Sequence, residues 1–373
     1  MNESRAICTI IAKNYIAAAR TLCRSYLALH PQDRCFVLIV DEFGGYINPL
    51  EECFEVVSLE DLRIPDAPSF CFKYDVTELC TAVKPTLLKY LLREKGVDKL
   101  LYIDPDILIT GPLEGLYERM EAHDIVLTPH LDTDYPEDGL RPNDANIMAC
   151  GMFNLGFIGV SGRESVMPFL DWWEKKLYDK CIADPYNVYF VDQKFVDFVP
   201  SLFDSYFIEK DTGYNVAYWN LHSRRISRDG AMWKCNGGPL HFFHFSGYSP
   251  DRPDIISKYM TRYRSSDRAD LQPLFALYRK LLLENGHEQA KGWRYTFNFF
   301  KTGEFIPPEV RVSYRNSAAR WQIYGNPFES DALKRQAWLI RMRDRSPNRY
   351  AVALRAYRSL RLVRRVVGRL THS

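Results

Sequence analysis

Short apolar runs alternate with longer segments of helical periodicity along most of the chain. Strand-like runs, several of them rich in β-branched residues, span 5–12, 34–40, 53–59, 99–104, 123–129, 153–160 and 239–247. Helix-like patterns lie between them at 15–30, 78–96 and 165–179. Because strands that alternate with helices form parallel sheets covered on both faces, the pattern predicts an α/β fold with a mixed, mostly parallel sheet flanked by helices.

The composition is that of a globular protein with a large core. Of the 373 residues, 46% are hydrophobic and 14% aromatic, which fits one large domain with an appendage or two smaller domains. The nine cysteines are widely spread and form no CxxC pair, which indicates reduced thiols in a cytosol-like compartment. The apolar stretch at 6–12 is too short for a secretory signal, and no run approaches a membrane span.

Charge is distributed unevenly, and this divides the chain. The net charge is +2, yet residues 341–373 hold ten arginines and one acid, which leaves the first 340 residues at −7. Charge density also rises after residue 260. We therefore predict an α/β domain over 1–260, a mainly helical extension over 261–340 and a basic tail over 341–373. An acidic body whose aromatic residues do not alternate with basic ones argues against specific nucleic-acid binding.

The basic tail has the pattern of an amphipathic helix over 350–370. Aliphatic residues recur at spacings of three and four, and arginines occupy the opposite side. Such a helix suits an anionic membrane surface, which predicts a cytoplasmic protein attached peripherally to the inner face of the membrane. The alternative is a helix that docks on the protein's own acidic body.

Two carboxylates, Asp104 and Asp106, follow the apolar run at 99–103. Ligands of open α/β sheets bind at the carboxyl ends of the strands, and alternate residues of an extended chain point the same way. Such a pair suits a hard divalent cation that also takes phosphate oxygens. The alternative is a solvated turn. Asp132 and Asp134 have the same spacing in a polar loop, where we expect no metal.

Six sequence blocks in order resemble the GT-A glycosyltransferases, and among them the retaining transferases of family 8. The blocks carry Asn14 and Tyr15 in "NY", Lys84 in "AVKPTLLKYLL", Asp104 and Asp106 in "LLYIDPDILI", Asn154 and Gly156 in "MFNLGFIGV", Asp192 and Gln193 in "VDQKF", and His244 and Gly247 in "HFSG". They extend from residue 5 to about residue 250. The resemblance implies a Rossmann-like GT-A domain over 1–260 that binds a nucleotide-diphosphate sugar.

The resemblance also implies a role for each matching residue. Mn²⁺ or Mg²⁺ would be bound by Asp104, Asp106 and His244. Donor-binding residues would be Thr9, Ile11, Asn14, Tyr15, Lys84, Asp104, Asn154 and Gly247. Gln193, or failing that Asp192, would be the catalytic group on the underside of the donor sugar.

The chain departs from the family in two loops. Ala12 and Lys13 stand where the family has acids that accompany uracil. After "HFSG" the family has a lysine and a Pro-Trp pair, which this chain lacks, and Lys258 would supply the missing cation from a longer loop. UDP remains the expected nucleotide.

Several of these residues have ordinary structural alternatives. His244, like His241, could be a hydrogen-bonded core histidine. Asp192 could cap a helix, and Asn154 could satisfy a buried turn. Lys84 precedes Pro85, which predicts a helix start at that position.

Two aromatic segments are candidates for sugar contact. The segment 213–224 offers Asn215, Trp219 and His222 as possible acceptor contacts, with an ordinary packed loop as the alternative. The aromatic residues at 293, 295, 297 and 299 alternate along the chain, which is more typical of the buried face of a strand.

Taken together, these features predict a metal-dependent transferase that moves a hexosyl group from a UDP-sugar to a glycan or lipid-linked acceptor, with retention, in polysaccharide biosynthesis. One alternative is a nucleotidyltransferase, against which the lack of a Gly-rich phosphate loop near the first strand speaks. The other is a catalytically silent sugar-binding protein.

Overall fold

The computed structural model describes residues 3–317 and 323–345. These residues form two compact units. The first unit comprises the described residues up to 64 together with 76–295, and the second comprises 65–75 with the described part from 296 onward. The three-part division predicted from charge stays a prediction. The amphipathic helix predicted over 350–370 lies outside the described residues.

Seven strands of the described residues lie in the seven predicted apolar runs, and eight short strands are additional. They are β1 (Arg5–Ile11), β2 (Arg34–Ile39), β3 (Glu55–Ser58), β4 (Lys99–Ile103), β5 (Ile107–Ile109), β6 (Ile125–Pro129), β7 (Phe153–Ser161), β8 (Ala183–Asp184), β9 (Tyr189–Phe190), β10 (Tyr206–Ile208), β11 (Val216–Ala217), β12 (Ile226–Asp229), β13 (Met232–Cys235), β14 (Gly238–Pro239) and β15 (Phe242–His244).

Helices alternate with the strands in the first unit and dominate the second. They are α1 (Ile16–Leu27), α2 (Ala67–Lys73), α3 (Val76–Ala82), α4 (Lys84–Glu94), α5 (Glu114–Ala122), α6 (Asp144–Cys150), α7 (Met167–Lys180), α8 (Gln193–Val196), α9 (Val199–Leu202), α10 (Gln272–Glu284), α11 (His287–Ala290), α12 (Pro308–Arg315) and α13 (Asp331–Arg345). The predicted helix start at Pro85 is confirmed, because this residue lies in the first turn of α4.

Seven strands of the first unit form one sheet in the order β10-β6-β7-β4-β1-β2-β3. All neighbours pair in parallel except β7, which is antiparallel to both β4 and β6. The sheet is mixed, mostly parallel and flanked by helices, which confirms the predicted fold class. Strands β4 and β7 are buried along their whole length, as their apolar sequences require.

A smaller sheet in the order β11-β15-β5 determines where the site forms. Strand β5 begins directly after Asp106, and β15 runs antiparallel to it with His244 opposite Ile107. The backbone N–H of Phe245 donates to the carbonyl of Asp106 at 2.8 Å. This pairing brings a histidine more than a hundred residues away along the chain to the two acids.

The second unit is held by aromatic packing and by one buried arginine. The ring of Phe72 lies 4.9 Å from that of Tyr314 and 5.0 Å from that of Phe328. The Arg311 guanidinium donates to the carbonyls of Phe72 and Tyr74. The strand predicted around 293–299 is wrong for 296–298, which form a short 3₁₀ helix. No helix of the described residues has the length and apolarity needed to span a bilayer.

Candidate metal and donor site

Two carboxylates and one imidazole converge where β4 ends and β5 begins. The carbonyl of Asp104 accepts from the backbone N–H of Ile107 at 3.2 Å, which closes the turn that carries both acids. His244 Nε2 lies 3.0 Å from Asp106 Oδ1 and 3.7 Å from Asp104 Oδ2. One potential ligand atom from each residue lies within 4.8 Å of the other two.

This donor set fits a divalent cation. Carboxylate oxygens suit Mn²⁺ and Mg²⁺, and Mn²⁺ accepts an imidazole nitrogen as well. The two aspartate side chains are each 30% exposed, whereas the His244 side chain is 4% exposed. The group is therefore closed by protein on the histidine side and accessible on the carboxylate side, where phosphate oxygens could complete the coordination.

The charges at the centre perturb each other strongly. Burial raises the pKa of Asp104, although the positive charges of Lys84 and His244 oppose this rise. Burial alone would lower the pKa of His244, but the charge and hydrogen bond of Asp106 together with the charge of Asp104 outweigh burial and raise it. The Tyr102 hydroxyl donates to Asp104 Oδ1 at 2.7 Å. Two carboxylates held this close to one imidazole favour a cation between them.

The His244 ring is fixed on its other side. Its Nδ1 lies 3.3 Å from Asn215 Oδ1. Strand β7 approaches the ring so closely that a Cβ on Gly156 would lie 2.4 Å from His244 Cε1. The Trp219 ring meets the imidazole edge-on at 5.2 Å. Only glycine at position 156 leaves room for the imidazole in this orientation.

A chain of buried amides connects His244 to Gln193. Asn215 Nδ2 donates to Asn154 Oδ1 at 3.0 Å, and Asn154 Nδ2 donates to Gln193 Oε1 at 3.3 Å. Gln193 Oε1 also accepts from the Leu155 N–H at 3.0 Å, and its Nε2 donates to the Cys150 carbonyl at 3.0 Å. The Gln193 amide, predicted as catalytic, is thus locked in one orientation.

The sequence contains no indication that Asn215 lies beside His244. We predicted it as an acceptor contact, but it is 1% exposed and bridges Thr128, Asn154 and His244. Its φ of 50° is left-handed, a conformation that asparagine tolerates better than most residues. The only sequence signal for this role is an asparagine just before the apolar β11.

Lys84 and Asp192 form a buried ion pair behind Asp104. The ammonium lies 2.5 Å from Asp192 Oδ2, and the two side chains are 1% and 2% exposed. Lys84 also donates to the Leu155 carbonyl at 2.8 Å and lies 4.0 Å from the centre of the Tyr102 ring. The structure therefore places the predicted phosphate-binding lysine and the second catalytic candidate against each other.

The other predicted donor residues lie within β1 or in the segments that follow β1 and β15. Thr9 and Ile11 are buried within β1. Asn14 is half-buried, and Tyr15 is 53% exposed. Lys13, where the family has an acid, forms a buried ion pair with Asp41 at 3.1 Å.

Gly247 and Lys258 are joined by their backbones. Gly247 has a φ of 75°, and its carbonyl accepts from the Lys258 N–H at 3.1 Å. A Cβ at position 247 would lie 2.6 Å from Ser257 Oγ, so the position requires glycine on both grounds. The Lys258 side chain itself is exposed.

The remaining acceptor candidates anchor the loop after β6. Trp219 is 3% exposed, and its carbonyl accepts from the Tyr135 hydroxyl at 2.5 Å. His222 Nε2 lies 3.0 Å from the Thr133 carbonyl. In the same loop Asp132 pairs with Arg224 at 2.9 Å. Within the described residues, Asp132 and Asp134 belong to no group of three metal-ligand types.

Comparison with known proteins gives distant relatives. No family model matches the chain. Over 288 residues it is 25% identical to YfnF, an uncharacterised protein of Bacillus subtilis (strain 168). The matched region covers 74% of this chain and 91% of YfnF.

Two of the solved structures similar to the chain are glycosyltransferases, the class whose motifs the sequence resembles. The galactosyltransferase LgtC, in complex with donor and acceptor sugar analogs, has a TM-score of 0.43 at 16% identity, covering 82% of this chain and 99% of LgtC. The glycosyltransferase GlyE of Streptococcus pneumoniae TIGR4 has a TM-score of 0.44 at 16% identity, covering 80% of this chain and 67% of GlyE.

Proposed function

We propose that the protein is a metal-dependent glycosyltransferase that uses a nucleotide-diphosphate sugar, with UDP as the nucleotide. The observation that carries this proposal is the convergence of Asp104, Asp106 and His244 at the carboxyl end of β4. Nucleotides bind at this edge of open α/β sheets, and a diphosphate bound there would be within reach of the three side chains.

Glycosyl transfer breaks the bond between the sugar's anomeric carbon and the diphosphate oxygen and forms one to an acceptor hydroxyl. The ring carbon becomes cationic while negative charge develops on the departing diphosphate. A divalent cation held by Asp104, Asp106 and His244 would neutralise that charge when bound. Gly247, three residues after His244, would bring its backbone close to the diphosphate.

Retention is the second part of the proposal, and the site favours Gln193 over Asp192 as the group beneath the sugar. The Asp192 carboxylate is neutralised by Lys84 and is 2% exposed. The Gln193 amide is uncharged, and its orientation is fixed by Asn154, Leu155 and Cys150. A fixed carbonyl dipole can stabilise a cationic ring without a reorganisation of the site during the reaction.

The acceptor that we propose is a glycan or a lipid-linked sugar, and the basic tail is proposed to hold the enzyme at an anionic membrane. A chain that ends after Arg345 should then remain folded and bind donor normally. It should also lose sedimentation with anionic vesicles. An unchanged vesicle fraction together with a lower Tm would instead make the tail part of the fold.

A thermal-shift panel on the full-length protein tests the nucleotide and the metal together. UDP with Mn²⁺ should raise Tm more than other nucleoside diphosphates do, and EDTA should abolish the rise. A ligand at 100 times its Kd stabilises the folded state by about 2.7 kcal/mol.

Product analysis then separates the alternatives. A glycosyltransferase releases UDP from a UDP-sugar, and a nucleotidyltransferase releases pyrophosphate from a nucleoside triphosphate. A silent sugar-binding protein would bind donor and release neither product.

A further inference from the structure

A cavity opens in the segment between β15 and α10. Its volume is about 670 Å³, and twelve of the residues between 252 and 266 line it. This volume is within the range of pockets that hold small molecules. The cavity belongs wholly to the first unit, and of its lining residues only Lys258 has been given a role above, as a donor-binding cation.

Three cationic side chains line this cavity: Arg252, Lys258 and Arg264. All three are exposed. Among the ion pairs of the described residues, none involves any of the three. The Lys258 ammonium lies 4.9 Å from the centre of the Tyr259 ring, a contact that leaves its hydrogen-bond donors available. Asp254 is the one acid in the lining.

The same segment neutralises its other arginines. The buried Arg262 pairs with Asp138 and donates to the Pro142 carbonyl at 3.0 Å. The buried Arg268 pairs with Asp270 at 2.8 Å. Carboxylates therefore accompany the arginines that hold the segment in place, whereas the three cations that line the cavity have none. The cavity therefore gathers three positive charges that no ion pair of the described residues offsets.

The remaining lining fits a phosphate group. Ser257, Thr261 and Ser265, which carry hydroxyl groups, line the cavity together with the cations. Guanidinium groups recognise phosphate through paired N–H donors, an ammonium adds a point charge, and hydroxyls donate single hydrogen bonds. Ile256 and Met260 supply apolar surface beside them.

The cavity lies beside Gly247 in the loop that follows β15. Lys258 donates its backbone N–H to Gly247, three residues after His244. Tyr259 packs so closely on Gly247 that a Cβ there would lie 2.8 Å from the tyrosine ring. A ligand in the cavity would therefore lie next to the segment that leads away from the metal site.

We propose that this cavity binds a phosphate or diphosphate group in addition to the one at the metal centre. This inference rests on the proposed function in one respect. If the protein is a glycosyltransferase, the group bound in the cavity is the phosphate of an anionic acceptor, such as a lipid diphosphate sugar. The donor's own diphosphate has the same chemistry, so the experiment must separate the two sources.

Two titrations of the full-length protein make this separation. In EDTA, inorganic pyrophosphate should bind the wild-type protein, and Arg252→Ala/Arg264→Ala should weaken its Kd at least tenfold. With Mn²⁺, the same variant should bind UDP within twofold of wild type. The matched control is Arg93→Ala/Arg225→Ala, which removes equal charge at exposed positions outside the cavity and should change neither Kd.

Each outcome of the two titrations either supports or overturns the proposed anion site. Pyrophosphate that does not bind, or that binds the cavity variant and the control equally, overturns the proposal. A parallel loss of Mn²⁺-dependent UDP binding in the cavity variant assigns the cations to the donor's diphosphate and also overturns it. If the wild type binds pyrophosphate as expected but shows no Mn²⁺-dependent UDP binding, the proposed function fails while the anion site stands. Single variants at Arg252 or Arg264 repeat the comparison should the double variant fold poorly.

Discussion

His244 Nδ1 lies 3.3 Å from Asn215 Oδ1, while the Nε2 of the same ring lies 3.0 Å from Asp106 Oδ1. Asn215 Nδ2 donates to Thr128 and Asn154, so its Oδ1 is left to accept. Without a cation, Nε2 donates to Asp106 and Nδ1 donates to Asn215; a cation bound at Nε2 would replace the first proton and leave the one on Nδ1. Outer partners of this kind fix the orientation and basicity of a ligating histidine.

The first prediction concerns this contact. Asn215→Gly removes the acceptor of His244 and keeps a residue that adopts φ 50° without strain. We expect the Kd for Mn²⁺ in the presence of UDP to rise by about 10- to 100-fold, as isothermal titration calorimetry would show. Thr128→Val removes the hydroxyl at the other end of the same amide and should change the Kd by less than about threefold. An equal rise of the Kd for Mn²⁺ in both variants would mean that Asn215 has only a structural role.

The second prediction concerns the two Asp-x-Asp sequences. Asp106→Ala should abolish the rise in Tm that Mn²⁺ with UDP produces, because it removes the carboxylate 3.0 Å from His244 Nε2. Asp134→Ala should leave that rise intact, since Asp134 is exposed and belongs to no ligand group among the described residues. Thermal unfolding with and without Mn²⁺ measures both. A similar loss in the two variants would contradict the metal assignment.

The sequence predicts the parts of this site that depend on local pattern. Apolar runs locate the buried strands, and acids directly after β4 must lie at the carboxyl edge of the sheet. His244 is predictable only from its resemblance block, because its position depends on the pairing of β15 with β5. Local periodicity contains no information about that pairing.

The supporting contacts are not predictable in this way. Asn215, Asn154 and Gln193 come from three separate segments, and their hydrogen bonds exist only after the sheet has formed. The ion pair of Lys84 with Asp192 likewise joins the start of α4 to the residue before α8. From the sequence alone, a charged residue is expected to be solvated or functional. Only the folded structure shows that a partner of opposite charge is buried beside it.

The third prediction concerns this ion pair. Lys84→Met leaves Asp192 charged and buried, and Asp192→Asn leaves Lys84 in the same state. Each single variant should lower the free energy of unfolding by about 3–5 kcal/mol, as urea denaturation would measure. The double variant should lose much less free energy of unfolding than the two single variants lose together, because it contains no unpaired buried charge at these positions. Additive losses would show that the two groups act independently.

The fourth prediction concerns pH and His130, which is 4% exposed. Burial lowers its pKa from 6.5 to about 4. Its Nδ1 lies 2.8 Å from the Gly151 carbonyl, and its Nε2 lies 3.3 Å from Asn154 Nδ2, as suits a neutral ring. The unfolded chain therefore binds a proton between pH 6.5 and 4 that the folded chain does not.

Stability should accordingly fall as the pH drops through this interval, by about 3 kcal/mol from His130 alone. His130→Asn keeps a donor for Gly151 and removes the titration. Its unfolding free energy, measured in urea at several pH values, should decline less steeply than that of wild type between pH 6.5 and 4. Parallel pH curves for the two proteins would contradict a neutral buried imidazole.

The fifth prediction concerns Gln193 and the stereochemistry of transfer. Gln193→Ala removes a fixed carbonyl dipole while Asp104, Asp106 and His244 remain to bind the diphosphate. Since the lost interaction strengthens as the ring becomes cationic, kcat should fall by 10-fold or more, with less than about a threefold change in the Kd for the donor. Single-turnover kinetics and donor titration measure the two quantities separately. NMR of the wild-type product should show the donor's anomeric configuration preserved. An inverted anomer would refute retention, and a variant that loses donor affinity as much as turnover would make Gln193 a binding residue instead.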